Sequence, residues 1–437
     1  MVDRFRYQEG VLYCEGSSLQ EIATEYGTPV YVYSRNTFRE HLAALTRAFV
    51  ELNPLVCYAI KACSNLHILR ELAEGGAGAD VVSGGELYRA LTSGIPAGQV
   101  IFAGVGKSEN ELREAIEAGI GCVNVESESE LESLGRLAAD MGRTVRAAIR
   151  VNPDVQGHGT PQKTTTGIRG SKFGVDIERV AALFDRSIAL THVDLVGLHV
   201  HLGSPIYSPE PYTRALGRIL ELVDKLRAGG HEVTTVNMGG GFAAEYETGL
   251  APAWDDYAAA IVPVLKPFVE RGGRVVMEPG RSIAANAGVL LTRVRYIKDA
   301  GPHRIAIVDA GMNNLIRAAL YDSFHFIWPV RPFGGLIPPS RAGRLELDGL
   351  RRYDIAGPIC ESTDYLARER DLPELAESDL LCVFGAGAYG MAMASQYNSV
   401  PRPPEVLVDD DKARLIRRRE TYADLVEAEL SVPGRHR

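Results

Sequence analysis

Tyr58-Ala59-Ile60-Lys61-Ala62 closes an apolar run that starts at Leu55. The run, 55–60, has the length and composition of a buried strand, and it ends on a lysine followed by small residues and then Ser64 and Asn65. One amine therefore stands at the carboxyl end of a strand. Such a lysine either snorkels to water over the turn or is desolvated into a nucleophile able to form a Schiff base. The rest of the chain chooses between the two.

Outward from this run the pattern is regular. Strand-like runs recur near 78–82, 99–103, 120–125, 144–151, 194–201, 233–238 and 273–278, which with 55–60 makes eight. Helical patterns fill most of the gaps, at 66–74, 84–93, 108–118, 127–141, 176–188, 212–229 and 253–271, with one more ahead of the first strand at 35–50 and an eighth expected from Ser282. Eight strands alternating with helices over about 225 residues have the size and order of a (β/α)₈ barrel. A doubly wound sheet usually has fewer strands, and the first strand here lacks the Gly-x-Gly-x-x-Gly turn of a dinucleotide site.

Past residue 285 the texture changes to short β-type runs, 288–296, 304–308 and 380–383, separated by Pro- and Gly-rich turns. The opening strands at 10–14 and 30–33 have no place in the barrel pattern, so they are expected to join this second, mostly β domain. The expected division is 36–284 for the barrel and 1–35 with 285–437 for the β domain. The Pro- and Gly-rich stretch 331–344 is the expected flexible loop.

The length, 437 residues, suits two such domains. The net charge is -9, and only Arg417-Arg418-Arg419 gathers basic charge, which argues against nucleic acid and anionic membranes as partners. No unbroken apolar segment approaches the roughly eighteen residues of a membrane span, and Asp3, Arg4 and Arg6 leave no apolar signal core, so a cytoplasmic protein is expected. The six cysteines are scattered without Cys-x-x-Cys spacing, which predicts reduced thiols and no metal site.

If the strands are placed correctly, their carboxyl ends carry Lys61, Asp80, Arg150, His199 with His201, Gly239-Gly240-Gly241, and Glu278-Pro279-Gly280-Arg281. Asp80 alone can be a helix cap, Arg150 a surface ion pair and His201 a core histidine; six together mark the catalytic face of a barrel. The glycines let backbone N–H groups converge on a phosphate, with Ser204 and Arg281 as further donors. A lysine beside a phosphate site suggests pyridoxal phosphate, with Glu278 placed to hold its pyridine nitrogen protonated and His201 to stack on its ring. In the second domain, Cys360-Glu361 and the glycine-flanked Tyr389 lie in segments dense in site-forming residues, although a lone cysteine is more often a small buried hydrophobe. Arg317 and Tyr321, at i, i+4, can face one spot and suit a carboxylate.

These motifs, YAIKA at 58–62, GADVVSGGEL at 78–87, KFGV at 172–175, GLHVHLGS at 197–204, GGGF at 239–242, EPGRS at 278–282, LIRAALYDSFH at 315–325, GPICES at 357–362 and GAGAYG at 385–390, resemble the fold-type III pyridoxal-phosphate-dependent decarboxylases, in particular their diaminopimelate-cleaving branch. The resemblance runs through nearly the whole chain. It implies an alanine-racemase-type barrel with a β domain, a head-to-tail homodimer with shared active sites, and conversion of meso-2,6-diaminopimelate to L-lysine and CO₂ in lysine biosynthesis. It also implies roles: Lys61 carries the cofactor, His201 stacks on it, Gly240, Gly241, Ser204 and Tyr389 surround its phosphate, Glu278 meets the pyridine nitrogen, and Asp80, Arg150 and Gly280 support the cofactor site. Arg281, Arg317 and Tyr321 would take the distal carboxylate of the substrate, Tyr389 would touch the substrate as well as the phosphate, Cys360 would protonate the carbanion and Glu361 would bind the distal amine, the last two from the partner subunit. Pro205, Ala243, Ala318 and Thr363 depart from the usual family residues, as does the loop 155–163.

The departures leave room for a decarboxylase of carboxynorspermidine, ornithine, lysine, arginine or a carrier-bound amino acid. A non-catalytic binding homologue is opposed by the presence of Lys61, Glu278 and Cys360. A racemase on the same barrel would need a second acid–base residue opposite the lysine.

Overall fold

The structure, a computed structural model, describes residues 3–155, 166, 170–246, 251–299, 301, 304–341, 343 and 345–432. Residues 156–163 of the atypical loop lie outside them. By contacts the chain divides into two compact units, Arg39–Ala244 with Leu250–Ile283, and Met1–Phe38 with Glu245–Gly249 and Ala284–Arg437.

The first unit is a closed barrel. Its strands are β1 (Leu55–Ala59), β2 (Gly78–Val81), β3 (Val100–Phe102), β4 (Cys122–Val125), β5 (Val145–Asn152), β6 (Val193–His199), β7 (Thr235–Asn237) and β8 (Arg274–Met277). Each pairs in parallel with the next, and β8 pairs with β1 to close the ring. Parallel pairing buries both faces of a strand, which is why the runs are nearly continuously apolar instead of alternating. Cys57, Ile101, Cys122, Ala148 and Val276 pack together as a core cluster, so the barrel is filled and not a pore.

The connecting helices are α1 (Leu66–Glu74), α2 (Gly84–Thr92), α3 (Glu109–Ala118), α4 (Glu128–Asp140), α5 (Val180–Ser187), α6 (Glu210–Ala228) and α7 (Trp254–Glu270). Three successive ones start on the same signal, Ser-x-x-Glu: the hydroxyls of Ser83, Ser108 and Ser127 accept from the backbone N–H of Glu86, Glu111 and Glu130. The helix expected near Ser282 is a single turn, Arg281–Ala284. Arg35–Ala48 lies against α1 through an ion pair from Arg39 to Glu71, 2.9 Å.

The second unit is built on the twelve-residue strand Gly288–Asp299. Its outer half pairs with Arg304–Val308, and its inner half runs between Val30–Ser34 and Leu380–Val383. Val30–Ser34 thus joins the second domain, as its sequence suggests, and Glu405–Asp409 extends the sheet beside it. The other opening strand, Val11–Cys14, instead forms its own small sheet with Phe5–Gln8 and Ser17–Ser18, tied to the unit by Leu12 N–H donating to Val330 O at 2.8 Å. Part of the 331–344 stretch is held by side chains: Trp328 Nε1 donates to Leu336 O, and Arg341 binds Asp3 and Phe5 O.

Candidate active site

The carboxyl ends of the barrel strands gather the polar side chains. Lys61 sits in the turn Ile60–Ala62 directly after β1, and its Nζ donates to Asp80 Oδ2 on β2 at 2.8 Å. Asp80 is fully buried, and its other oxygen, Oδ1, has no hydrogen-bond partner among the described residues. Burial pushes its carboxyl up to about 7, with the Lys61 ammonium pulling the other way and Glu278 adding to the rise. Glu278, just after β8, has the opposite balance. Burial would raise it as well, but His199, Lys61 and Asn237 outweigh burial and hold its carboxyl well below the usual range. Its Oε1 accepts from Asn124 Nδ2 (3.0 Å, β4) and Asn237 Nδ2 (2.6 Å, β7), and its Oε2 lies 3.2 Å from His199 Nε2 at the end of β6. One buried carboxylate is thus held ionised close to another that sits near its titration point. Asn124 and Asn237 were not picked out by sequence; the available signal was an amide inside an otherwise apolar strand run.

Beyond β6 and β7 the glycine turn meets His201. Gly240 N–H donates to His201 Nδ1 at 3.3 Å, and Gly240 O accepts from the Tyr212 hydroxyl at 2.9 Å. No side chain fits this turn. A Cβ on Gly240 would stand 2.1 Å from Glu278 O, and on Gly241, at φ +98°, 2.3 Å from Gly203 O. Half-buried His201 is pushed well below the ordinary histidine range, first by burial and then by the nearby Arg150 and Lys61 cations, so its ring is neutral with Nδ1 as an acceptor. Arg281 Nε donates to Ser204 Oγ at 2.9 Å. Gly280 lets its backbone lie against the end of β1, where a Cβ would come within 3.0 Å of Ala59 Cβ.

Arg150, on β5, is buried and not a surface partner. Its Nη1 donates to the equally buried Glu126 at 2.7 Å, and the Phe173 ring lies 4.6 Å from its Cζ. Glu126 also accepts from Gly174 N–H at 2.9 Å and Gly104 N–H at 3.2 Å. Behind it the buried Lys107 donates to Gly104 O (2.6 Å), Asn124 O (2.9 Å) and Glu130 Oε1 (2.5 Å). Sequence reasoning missed Glu126 and Lys107, whose only local mark is a place in polar loops.

In the second unit, Arg317 and Tyr321 share the short helix Arg317–Tyr321, but Arg317 is buried whereas Tyr321 is exposed. Arg317 Nη1 lies 3.0 Å from His325 Nε2, and its guanidinium is 4.8 Å from the centre of the Tyr246 ring. Cys360, unlike the other five cysteines, is exposed, which removes its reading as a small buried hydrophobe. Glu361 is exposed beside it. Their loop is fixed from beneath by buried Asp364, which accepts from Ile359 N–H (2.7 Å) and Met312 N–H (2.6 Å), and Cys360 N–H donates to Asn398 Oδ1 at 2.8 Å. Tyr389 is half-buried with φ +56°, a left-handed conformation between Ala388 and Gly390.

Residues 35–285 match the family described as pyridoxal-dependent decarboxylase, pyridoxal binding domain. The chain is 44% identical to a diaminopimelate decarboxylase of Pseudomonas aeruginosa, covering 99% of this chain and 100% of that one. It is 42% identical to one of Aquifex aeolicus over 98% of this chain and 97% of the relative. The crystal structure of the diaminopimelate decarboxylase of M. jannaschii in complex with L-lysine superposes with a TM-score of 0.90 at 35% identity, covering 99% and 98% of the two chains.

Proposed function

The chain belongs to the pyridoxal-dependent decarboxylases, and from that premise we propose that it converts meso-2,6-diaminopimelate to L-lysine and CO₂ with pyridoxal phosphate as cofactor. The observation that carries this reading is the Lys61 amine, held 2.8 Å from buried Asp80 at the carboxyl ends of the same barrel strands that carry a glycine turn no Cβ can enter. These residues fit the cofactor: an amine for its aldehyde, bare backbone for its phosphate, and in Glu278 a buried carboxylate kept ionised for a protonated ring nitrogen. When bound, pyridoxal phosphate supplies the sink for the electron pair left as CO₂ departs.

Each residue's part follows from its chemistry. Lys61 would hold the cofactor through its amine, a group that can give way to the substrate amine. Gly240, Gly241, Ser204 and Tyr389, with Arg281 as a further donor, would hold the phosphate, His201 would stack on the ring as a neutral imidazole, and Asp80, Arg150 and Gly280 would steady the site. Arg281, Arg317 and Tyr321 take the distal carboxylate, and Glu361 takes the distal ammonium. Cys360 gives a proton to the carbon that has lost CO₂. The enzyme works as a cytoplasmic homodimer in which Cys360 and Glu361 serve the partner's site, with 36–284 as the cofactor domain and 1–35 with 285–437 as the β domain.

The test is CO₂ release from meso-diaminopimelate by the purified protein, with and without added pyridoxal phosphate, alongside Lys61→Ala. Turnover should require the cofactor and fall by about a thousandfold or more in the variant. A protein that binds the cofactor but releases no CO₂ would retain the family and lose this substrate, and carboxynorspermidine, ornithine, lysine and arginine would be tried next.

A further inference from the structure

We propose that His325 and Tyr246 are positioning residues that form a bracket for Arg317, and that this bracket sets the preference for a substrate with a distal carboxylate. The proposal rests on the reading of Arg317 as the grip on that carboxylate.

The polarity of the bracket follows from its geometry. His325 is fully buried, and its Nδ1 lies 2.9 Å from Phe384 O. A carbonyl oxygen only accepts, so Nδ1 carries the proton, and in the neutral ring Nε2 is then a lone pair. That lone pair accepts from Arg317 Nη1 at 3.0 Å. The imidazole therefore joins the guanidinium to a backbone carbonyl at the end of the strand Leu380–Val383. Tyr246 fixes the remaining freedom. Its ring is 4.8 Å from Arg317 Cζ and stands edge-on to His325 at 5.7 Å and 87°. Gly385, at φ +65°, makes room for this arrangement, since a Cβ there would come within 3.3 Å of the Tyr246 ring.

One of the five guanidinium N–H groups is spent on His325, and the plane of the group is set by the tyrosine ring. The rest is presented in one orientation, as bidentate capture of a carboxylate requires. An arginine already held in place loses little rotamer freedom when the substrate binds. The same rigidity acts against amino acids lacking the distal carboxylate, because a buried cation that cannot swing to water is left without its acceptor. His325 and Tyr246 thus act on selectivity through Arg317.

The experiment compares His325→Phe, His325→Gln, Tyr246→Leu, Arg317→Met and the double variant His325→Phe/Arg317→Met as holoenzymes, reading kcat and KM for meso-diaminopimelate and, separately, pyridoxal phosphate affinity of the apoproteins. His325→Phe and Tyr246→Leu should each raise KM by about tenfold or more, with kcat and cofactor affinity within about threefold of the parent. His325→Gln should recover most of the loss, because its carbonyl can accept from Arg317 while its amide donates to Phe384 O. The double variant should be no worse than Arg317→Met alone. Parental KM in His325→Phe and Tyr246→Leu, or a glutamine as damaging as phenylalanine, overturns the bracket. If His325→Phe does not fold, Tyr246→Leu decides in the same sense. Parental KM in Arg317→Met would instead remove the reading of Arg317 as the substrate grip, a separate failure.

Discussion

Glu126 shows how much a single residue can hold on the rim of the barrel. Its carboxylate accepts from Arg150 Nη1 and from the N–H groups of Gly104 and Gly174, so it joins β5, the loop after β3 and the KFGV turn at one point. Both members of the Glu126–Arg150 pair are buried, with side chains 2% and 6% exposed. Desolvation takes back much of what such a pair gains, yet removing one partner leaves a buried charge without compensation. Glu126→Gln should therefore destabilise the protein by about 3–5 kcal/mol. The double change Glu126→Gln/Arg150→Met, which removes both charges, should cost clearly less. Urea midpoints of the parent and the two variants check this; a double variant as unstable as the single would mean that the bonds to Gly104 and Gly174, and not the arginine's charge, dominate.

At the scale of elements, the glycine turn after β7 leaves no room for a side chain. Gly240 is enclosed by Glu278 O on one side, so Gly240→Ala must push apart the ends of β7 and β8, where the proposed cofactor would be held. The barrel should still fold, because the collision is at its rim, while pyridoxal phosphate affinity of the apoprotein should drop by about tenfold or more. Equilibrium binding of the cofactor measures it, and parental affinity would show that the turn yields. The same scale explains what was legible in the sequence. Strand and helix runs could be read because both faces of a parallel strand are apolar and each following helix has a buried stripe, and the Ser-x-x-Glu caps marked three of its starts. Lys61, Asp80 and Glu278 could be read because each ends or interrupts such a run with a charge. Asn124, Asn237, Glu126 and Asp364 could not, since what makes them important is a partner 22 to 154 residues away or a loop that folds back on them; Asn124, for instance, meets Glu278 across 154 positions. Likewise nothing local says that Val11–Cys14 forms a small sheet with its neighbours, or that Glu245 and Tyr246, in the middle of the barrel sequence, belong by contacts with the β unit.

At the scale of the whole molecule, the proposed roles of Cys360 and Glu361, both exposed, would make assembly part of the chemistry. A thiol that is to protonate a carbon, and a carboxylate that is to hold an ammonium, need a site closed to water, and on the single chain both stand in solvent on a loop that Asp364 keeps rigid from below. An exposed pair of this kind suits the proposed insertion into a second copy, and a twofold dimer would make the exchange reciprocal, each site then taking Lys61 from one subunit and Cys360 from the other. The consequence can be tested by mixing. Lys61→Ala and Cys360→Ala should each be nearly inactive alone. After the two are unfolded and refolded together, or exchanged at low concentration, random pairing makes half the dimers mixed, and each mixed dimer has one site with both residues intact, so about a quarter of the parental activity should return. Mass measurement under non-denaturing conditions establishes that mixed dimers have formed. If they have and CO₂ release stays at the level of the two parents, Cys360 serves its own subunit's site or none, and its exposure on the loop needs another cause.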